Sequence, residues 1–153
     1  MSCMRSVIQR VTRASVGIGG RKHSEIGPGL VLLLGIGESD DNSDVEWLAA
    51  KISRLRIFSD SNGVMNLSVM DTGGDVMVIS QFTLHALTKK GNRPSYIMAA
   101  RPETAIPLYN NFVNTISGIL GKNVATGEFG AMMQVELVND GPVTIIIDTK
   151  EKE

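Results

Sequence analysis

Two short segments of the chain contain the residue types that could do chemistry. The first is SQFTL at residues 80–84, which places the hydroxyl groups of Ser80 and Thr83 close to His85. A hydroxyl beside a histidine is the pattern of a nucleophile with its base. Alternation along a strand would put Ser80 and His85 on opposite faces, and no G-x-S-x-G turn surrounds the serine. A serine hydrolase is therefore the less favoured interpretation.

The second segment is NDGPVT at residues 139–144, where Gly141-Pro142 stands at the head of an apolar, β-branched run. Proline has no N–H for a strand ladder, so it belongs at the first residue of a strand, on an edge or at a bulge. A turn that starts a strand would account for the pair. The alternative is that the peptide bond itself is functional, and the pair alone leaves both interpretations open.

The remaining motifs predict neither a nucleotide loop nor a metal site. Gly35 and Gly37 lie between a strand and a helix, but Asp40 stands where a dinucleotide loop would need its third glycine. His23 and His85 are the only histidines and there is no cysteine pair. Because a zinc site would then need mainly carboxylates, we predict no structural metal and no cofactor.

A basic loop, TKKGNRPS at residues 88–95, follows the first segment and contains Lys89, Lys90 and Arg93. The simplest interpretation is a solvated surface loop. A mobile basic loop beside a strand end is also where a nucleic-acid backbone could be held. The two interpretations are about equally supported.

Length and charge limit the class of protein. The 153 residues fit a single domain, 1–153, and a net charge of -1 provides no overall field toward nucleic acid or membrane. Cys3 is the only cysteine, which fits a reducing compartment. The N-terminus lacks the apolar region of a signal peptide, and no window reaches the ~20 apolar residues of a membrane helix. We expect a soluble cytoplasmic protein without membrane contact.

Hydrophobic periodicity predicts a mixed α/β domain with helices packed on a largely antiparallel sheet. Along the first strand, alternation puts Ile8, Arg10, Ala14 and Val16 on one face. Alternating or wholly apolar runs predict strands at residues 6–18, 29–37, 64–69, 76–84, 132–138 and 142–148.

Two helices complete the predicted order of elements. For the first, Ser43 and Glu46 are expected to form a capping box. The second is expected to begin near Pro107, because a proline beyond the first turn removes an intrahelical hydrogen bond. The apolar residues at helical spacing are Val45, Leu48, Ala49, Ile52 and Leu55 in the first helix and Leu108, Phe112, Val113, Ile116, Ile119 and Leu120 in the second.

Taken together with the sequence around them, the two segments resemble a known family. The chain resembles D-aminoacyl-tRNA deacylases of the bacterial and eukaryotic type from about residue 4 to residue 148. The matching stretches, in the family's order, are IQRVTRASV, GLVLLLGI, RIFSDSNGVMNLSV, SQFTL, NRPSY and TGEFGAMMQVELVNDGPVT. Two separated signatures with matches between them are far more specific than one short motif.

The resemblance implies a homodimer with active sites at the subunit interface. The implied reaction is hydrolysis of the ester that joins a D-amino acid to the 3' adenosine of tRNA. Gly141-Pro142 would be a cis peptide that enters the partner's site, where its carbonyl groups would receive the α-ammonium group of the substrate. An L-amino acid would be rejected sterically, whereas glycyl-tRNA would also be hydrolysed.

The same resemblance assigns roles to individual residues. Ser80, Gln81 and the backbone N–H of Phe82 would surround the ester, with that N–H as an oxyanion hole. Thr83 is a weak candidate nucleophile because no base is evident, and attack by water with help from the ribose 2'-OH fits the family better. Arg10 would brace the Gly-Pro element, although an arginine that snorkels to solvent is the alternative.

Two apolar residues, Phe129 and Met133, match positions that line the family's adenosine pocket. Ordinary core packing is an equally good interpretation of both residues. Because no acid–base pair or metal site is evident, a noncatalytic dimeric module that binds tRNA ends or small amines remains the competing hypothesis from another class of function.

Overall fold

The computed structural model describes residues 3–152. The strands are β1 (Arg5–Ile18), β2 (Arg21–Ile26), β3 (Gly29–Gly35), β4 (Phe58–Ser59), β5 (Met65–Leu67), β6 (Asp75–Ser80), β7 (Ala125–Thr126) and β8 (Met133–Asp148). The helices are α1 (Asn42–Arg54), α2 (Val69–Thr72) and α3 (Pro102–Leu120), and a short 3-10 helix spans Phe82–His85. In the described part of the chain, no helix has the length and apolar character needed to cross a membrane.

The main sheet is mixed, so the prediction of a largely antiparallel sheet was wrong. Strand β1 is antiparallel to β2, β3 and β8, whereas β3, β6 and β7 run parallel to one another. The parallel pairs arise because α1 and α3 are crossover connections, which return the chain to the same end of the sheet before the next strand begins. The sheet curls until it is nearly closed, while β4 and β5 form a separate hairpin.

Alternating side chains of the central strands fill two separate cores. Leu30, Leu32 and Leu34 of β3 face the helices α1 and α3 and pack in the larger core, together with Phe112. The intervening Val31 faces the other way, into the smaller core inside the curled sheet, where its neighbours include Val11, Ala14, Val16, Met77 and Ile79. A strand covered on both sides explains why the sequence of β3 is apolar throughout.

The predicted faces of β1 are only partly right. Ile8 belongs to the larger core, but Ala14 and Val16 belong to the smaller one. The β1–β8 register shifts between Gln9 and Val11 and again between Val11 and Arg13. An irregularity of this kind moves the following side chains to the other face of the strand.

Both main helices begin differently from the prediction. In α1 the capping box is formed by Asp41 and Asp44 rather than Ser43 and Glu46. Because Asp41 accepts a hydrogen bond from the Ser43 amide, the serine lies inside the helix.

Helix α3 begins at Pro102, not at Pro107. Pro102 occupies the first turn, where its missing N–H costs nothing. Glu38 accepts hydrogen bonds from the Arg101 amide (2.8 Å) and the Thr104 hydroxyl (3.1 Å), which stabilises this early start. Pro107 therefore lies within the helix and is exposed to solvent.

Several predicted strands have other bounds. The run at 64–69 is strand only in β5, because Ser68 caps the short helix α2. The run at 76–84 is strand only as far as Ser80, and the chain then turns into the 3-10 helix. The two predicted C-terminal strands are one long strand, β8, which passes through Gly141-Pro142.

Candidate active site

A cleft of about 470 Å³ opens where β6 ends, beside the first turn of α3 and the turn before β8. Ser80, Gln81 and Phe82 form one wall, and Phe129 and Met133 form the opposite side. The other lining residues are Leu34, Ile36, Ile79, Ala100, Ala105, Gly130, Ala131, Met132 and Val135. The fold thus brings five of the predicted site residues to one apolar cleft.

The wall formed by Ser80, Gln81 and Phe82 leaves the sheet at Gln81. The Gln81 amide still bonds to the Leu34 carbonyl oxygen at 2.8 Å, which continues the parallel pairing one residue beyond β6. The next amide, that of Phe82, is the first of the 3-10 helix and has no hydrogen-bond acceptor within residues 3–152. A first-turn N–H at the edge of a cleft is a donor available to a ligand.

Thr83 is held by its neighbour and has no base. The Gln81 side-chain amide donates to the Thr83 hydroxyl oxygen at 2.5 Å. Among the residues the structure describes, no carboxylate or imidazole forms a hydrogen bond with that hydroxyl. The geometry therefore gives Thr83 no means of activation as a nucleophile.

His85 is the last residue of the 3-10 helix, is buried, and does not line the cleft. Burial lowers the pKa of its imidazole, and a backbone hydrogen bond at Gly35 opposes that shift. Its Nε2 has no hydrogen-bond partner within the described residues. Ser80 and His85 are thus separated, as their spacing predicts, although the cause is the 3-10 helix rather than strand alternation.

Aromatic and sulfur-containing side chains surround the cleft. Phe82 is exposed and packs edge-to-face with Tyr96, with ring centroids 5.0 Å apart. Phe129 packs against Tyr109 at 6.0 Å, and the Tyr109 hydroxyl donates to the Val78 carbonyl oxygen. Met132 is 90% exposed at the rim. Phe129 therefore packs against the core and also lines the cleft.

The Gly141-Pro142 bond is cis, and Gly141 has a φ of 127°. Arg10 supports this element through two hydrogen bonds. Its Nε donates to the Asp140 carbonyl oxygen at 3.1 Å, and its Nη1 donates to the Ile57 carbonyl oxygen at 2.6 Å. The Arg10 side chain is only 12% exposed, which fits a brace on this segment better than an arginine that snorkels to solvent.

Within one chain, Gly141-Pro142 lies away from the cleft. Ser80 pairs with Leu34, which pairs with Ser6 across the sheet, whereas the Gly-Pro segment lies beside Arg10. Four residues along β1 separate Ser6 from Arg10, a distance of about 13 Å. Neither Gly141 nor Pro142 lines the cleft. The two sequence signatures do not form one site in a single chain.

The basic loop lies beyond the 3-10 helix. Its base is closed by two hydrogen bonds between Leu87 and Ser95, of 2.8 and 3.0 Å. Lys89, Lys90 and Arg93 are all exposed, and within residues 3–152 none of them forms an ion pair. None of the three lines the cleft.

Comparison with known proteins identifies the family. The family model described as D-Tyr-tRNA(Tyr) deacylase matches residues 7–148. The chain belongs to the D-Tyr-tRNA(Tyr) deacylase family. Proteins named D-aminoacyl-tRNA deacylase from Porphyromonas gingivalis and Bacteroides thetaiotaomicron are 64% and 60% identical to it, each over 98% of this chain and 100% of the relative. The family recognised from the two signatures, and the enzyme class stated in its name, are confirmed.

Solved structures agree on the fold of this deacylase family member. A structure titled c-Myc DNA Unwinding Element Binding Protein is 42% identical, with a TM-score of 0.89 over 94% of this chain and 97% of the other. A probable eukaryotic D-amino acid tRNA deacylase has a TM-score of 0.82 at 14% identity, over 95% and 98% of the two chains. The second likeness concerns the fold alone.

Some residues that line the cleft were not among the predicted site residues. Gly130, Ala131 and Met132 form the turn that closes one end of the cleft. They lie in the stretch TGEFGAMM that carries part of the family resemblance, but taken by itself this stretch indicates only a glycine-containing turn. The sequence placed Gly35 in a predicted strand and next to a rejected nucleotide loop, and gave no sign that it packs directly against the 3-10 helix.

Proposed function

We propose that this protein hydrolyses D-aminoacyl-tRNA to a free D-amino acid and tRNA. The observation that carries the proposal is the unpaired Phe82 amide beside Ser80 at the edge of an apolar cleft. The names of relatives at 56–64% identity support the same substrate class. The cleft is large enough for a nucleoside and its ester-linked amino acid, since ligand sites typically measure about 300 to 1,000 Å³.

Hydrolysis here relies on positioning and a main-chain donor. The ester carbonyl oxygen accepts a hydrogen bond from the Phe82 N–H as water attacks the carbonyl carbon, because negative charge develops on that oxygen in the transition state. The bond from the carbonyl carbon to the ribose 3' oxygen then breaks, and that oxygen takes up a proton. In the part of the chain that the structure describes, no base is present to activate Thr83 as a nucleophile, so water is the attacking group in this proposal. The ribose 2'-OH assists that water.

Chirality is selected by a second subunit in this proposal. The separation of Gly141-Pro142 from the cleft of its own chain is explained if that segment enters the cleft of a partner in a homodimer. Its carbonyl oxygens then hold the substrate's α-ammonium group. With the ammonium and the ester both fixed, the side chain of a D-residue points outward, whereas that of an L-residue meets backbone.

A steric clash can supply the required discrimination between D- and L-aminoacyl-tRNA. Sparing L-aminoacyl-tRNA by ~10⁴-fold corresponds to roughly 5.5 kcal/mol. A selector built from main chain ignores side-chain identity, so a broad range of D-amino acids is expected. Glycine has no side chain to clash, and glycyl-tRNA is therefore also a substrate.

The rest of the tRNA end is bound by the surroundings of the cleft. Phe129 and Met133 pack against the 3' adenosine, because an apolar wall with one aromatic ring suits a base. Lys89, Lys90 and Arg93 contact backbone phosphates with their unpaired charges. Charged tRNA is a cytoplasmic substrate, and we place the enzyme there.

A chirality-resolved deacylation assay tests the proposal. Purified protein should release D-tyrosine from D-Tyr-tRNA and leave L-Tyr-tRNA largely intact over the same period. Equal rates on the two substrates would contradict the selector. If a nonhydrolysable D-aminoacyl-adenosine analogue binds and neither ester is hydrolysed, the protein is a noncatalytic binding module instead. Trapping of a covalent intermediate that is lost in Ser80→Ala would support a serine esterase.

A further inference from the structure

An arginine at the start of β1 contacts the 3-10 helix without lining the cleft. Arg5 Nη1 donates to the Leu84 carbonyl oxygen at 2.9 Å. The same guanidinium donates through Nε and Nη2 to Asp148 Oδ2, at 3.3 and 3.1 Å. Arg5 therefore links the helix that carries the Phe82 amide to the last residue of β8.

The 3-10 helix also packs against Gly35 and Tyr96, but few hydrogen bonds of its own hold its end. Its main-chain hydrogen bonds run from the Leu84 amide to Gln81 (3.3 Å) and from the Ala86 amide to Thr83 (3.1 Å). Bonds in a 3-10 helix have poorer geometry than those in an α-helix, and carbonyl groups at a helix end lack intrahelical partners. A hydrogen bond from a charged donor is stronger than one from a neutral donor, so the bond from Arg5 to the Leu84 carbonyl oxygen is a firm contact of that turn.

Asp148 is itself held in place from several directions. Its Oδ2 accepts from the Cys3 thiol at 2.7 Å, and its Oδ1 accepts from the Lys150 amide at 2.9 Å and the Glu151 amide at 3.2 Å. Arg5 and Asp148 are also direct partners in the β1–β8 register. The guanidinium is thus oriented by a carboxylate with little freedom to move.

We propose that Arg5, oriented by Asp148, is a positioning residue for the oxyanion-binding amide of Phe82. Arg5 does not line the cleft, so it acts through the 3-10 helix and not on the substrate. The expected effect of Arg5 on the rate of deacylation rests on the proposed function. The mechanical part, that Arg5 orders residues 82–86, stands on the contacts alone.

The test compares Arg5→Met with a matched control, Arg13→Met. Arg13 lies on the same strand and pairs with Glu136 of the same partner strand at 3.3 Å. Both of these side chains are exposed, and Arg13 lies farther along β1, away from the residue that contacts the 3-10 helix. In Arg5→Met, amide hydrogen exchange at Leu84 and Ala86 should accelerate by about tenfold or more, while the amides of β3 keep their rates. Arg13→Met should exchange as wild type does.

Kinetics supply the second readout. On D-Tyr-tRNA, kcat of Arg5→Met should fall by roughly ten- to a hundredfold with KM within about twofold, because a displaced oxyanion donor weakens the transition state and not substrate binding. Arg5→Lys should recover part of kcat, since an ammonium can still donate to the Leu84 carbonyl. A purely structural role would lower the melting temperature of Arg5→Met and leave the kcat of the folded fraction unchanged.

The proposal is overturned if exchange at Leu84 and Ala86 in Arg5→Met equals that of wild type. If Arg5→Met does not fold, the same comparison is made with Arg5→Gln, whose shorter side chain carries no charge, and wild-type exchange there overturns it too. A wild-type protein that fails to hydrolyse D-Tyr-tRNA, combined with fast exchange in the Arg5 variants, defeats the proposed function and leaves the ordering role of Arg5 intact.

Discussion

At the scale of single residues, the amide of Phe82 can be separated from its ring. Phe82→Pro removes both the ring and the N–H, whereas Phe82→Ala removes the ring alone. Proline is tolerated at the first position of a helical turn, so the fold should survive. Relative to Phe82→Ala, we expect Phe82→Pro to lower kcat on D-Tyr-tRNA by about 10²- to 10³-fold, the usual effect of losing one oxyanion donor.

Circular dichroism and thermal melting of both Phe82 variants establish that they are folded before rates are compared. If Phe82→Ala and Phe82→Pro hydrolyse D-Tyr-tRNA at the same rate, the main-chain donor is not part of the mechanism.

Cys3 offers a second test at this scale. Burial, a hydrogen bond to Asp148 and the charge of that carboxylate raise the pKa of the Cys3 thiol to about 12. Only the thiolate reacts with disulfide reagents. At pH 8 we expect labelling of the folded protein to be slower than that of the urea-unfolded chain by on the order of a thousandfold. Native labelling at the unfolded rate would mean that the Cys3–Asp148 contact is absent in solution.

At the scale of elements, the position of the 3-10 helix depends on a small residue in the neighbouring strand. A Cβ added at Gly35 would lie 3.0 Å from Leu84 Cβ, 3.1 Å from the Gln81 carbonyl oxygen and 3.2 Å from His85 Cδ2. These contacts are tight enough to push the helix by a few tenths of an ångström. Gly35→Ala should therefore reduce kcat on D-Tyr-tRNA by about tenfold, because an oxyanion donor acts only at a defined distance.

The control for Gly35→Ala is Gly118→Ala in α3, where an added Cβ meets nothing within 4 Å. Gly118→Ala should keep full activity and raise the free energy of unfolding by about 0.5 to 1 kcal/mol, as expected for alanine in place of glycine in a helix. Unchanged kcat in Gly35→Ala would show that the 3-10 helix yields without moving the Phe82 amide.

At the scale of the whole molecule, mixed subunits test whether two chains build each active site. Phe82→Pro damages the cleft, and Gly141→Ala damages the selector, since a Cβ there would lie 2.9 Å from Val143 Cγ2 and φ is positive. Each variant alone should be inactive on D-Tyr-tRNA. Heterodimers formed by unfolding and refolding the mixture should regain about half of the wild-type activity per heterodimer, because one of their two sites contains neither lesion.

Refolded samples of each single variant are the controls for that experiment. Absence of recovered activity, when native mass spectrometry shows that heterodimers have formed, would place the cleft and the Gly-Pro segment of one chain in the same site.

The buried histidine makes global stability depend on pH. Burial lowers the pKa of His85 below its ordinary value of about 6.5. As the pH falls through that value, the unfolded chain gains a proton that the folded protein does not yet accept. The free energy of unfolding should therefore fall from pH 7 toward pH 5.5, with a slope of at most about 1.4 kcal/mol per pH unit.

Urea titrations of wild type and His85→Gln measure that slope. The variant should be less stable at pH 7 but lose this pH dependence, whereas His23→Gln, at an exposed residue, should retain the wild-type slope. A slope that persists in His85→Gln would assign the pH dependence to other groups.

The sequence predicted the family, the two signatures and the identity of the main strands and helices. The apolar run of β3 and the helical stripe of α1 could be read locally, because burial on both faces or on one stripe leaves its own period in the chain. Arg10 also stood out as a cation on an apolar strand. Its contacts with Asp140 and Ile57, however, come from distant parts of the chain and required the fold.

Other features were set by tertiary contacts. Alternation suggested that strand continued from Ser80 to residue 84, but Gly35 and the Arg5 contact with Leu84 accommodate a 3-10 helix there. Likewise, the local pattern offered Ser43 as the cap of α1, whereas Asp41 and Asp44 form it together. Propensity is a weak guide wherever long-range packing chooses between two local conformations of similar energy.

The amino-acid sequence by itself determined which chemistry to look for, since the residue types at 80–84 and 139–144 and their order along the chain are local information. Only the tertiary structure decided that Phe82 presents its amide at the edge of a cleft and that neither Gly141 nor Pro142 of the same chain lines that cleft. The physical reason is that strand direction, register and crossover connections determine distances between remote residues, and no short stretch of sequence encodes them.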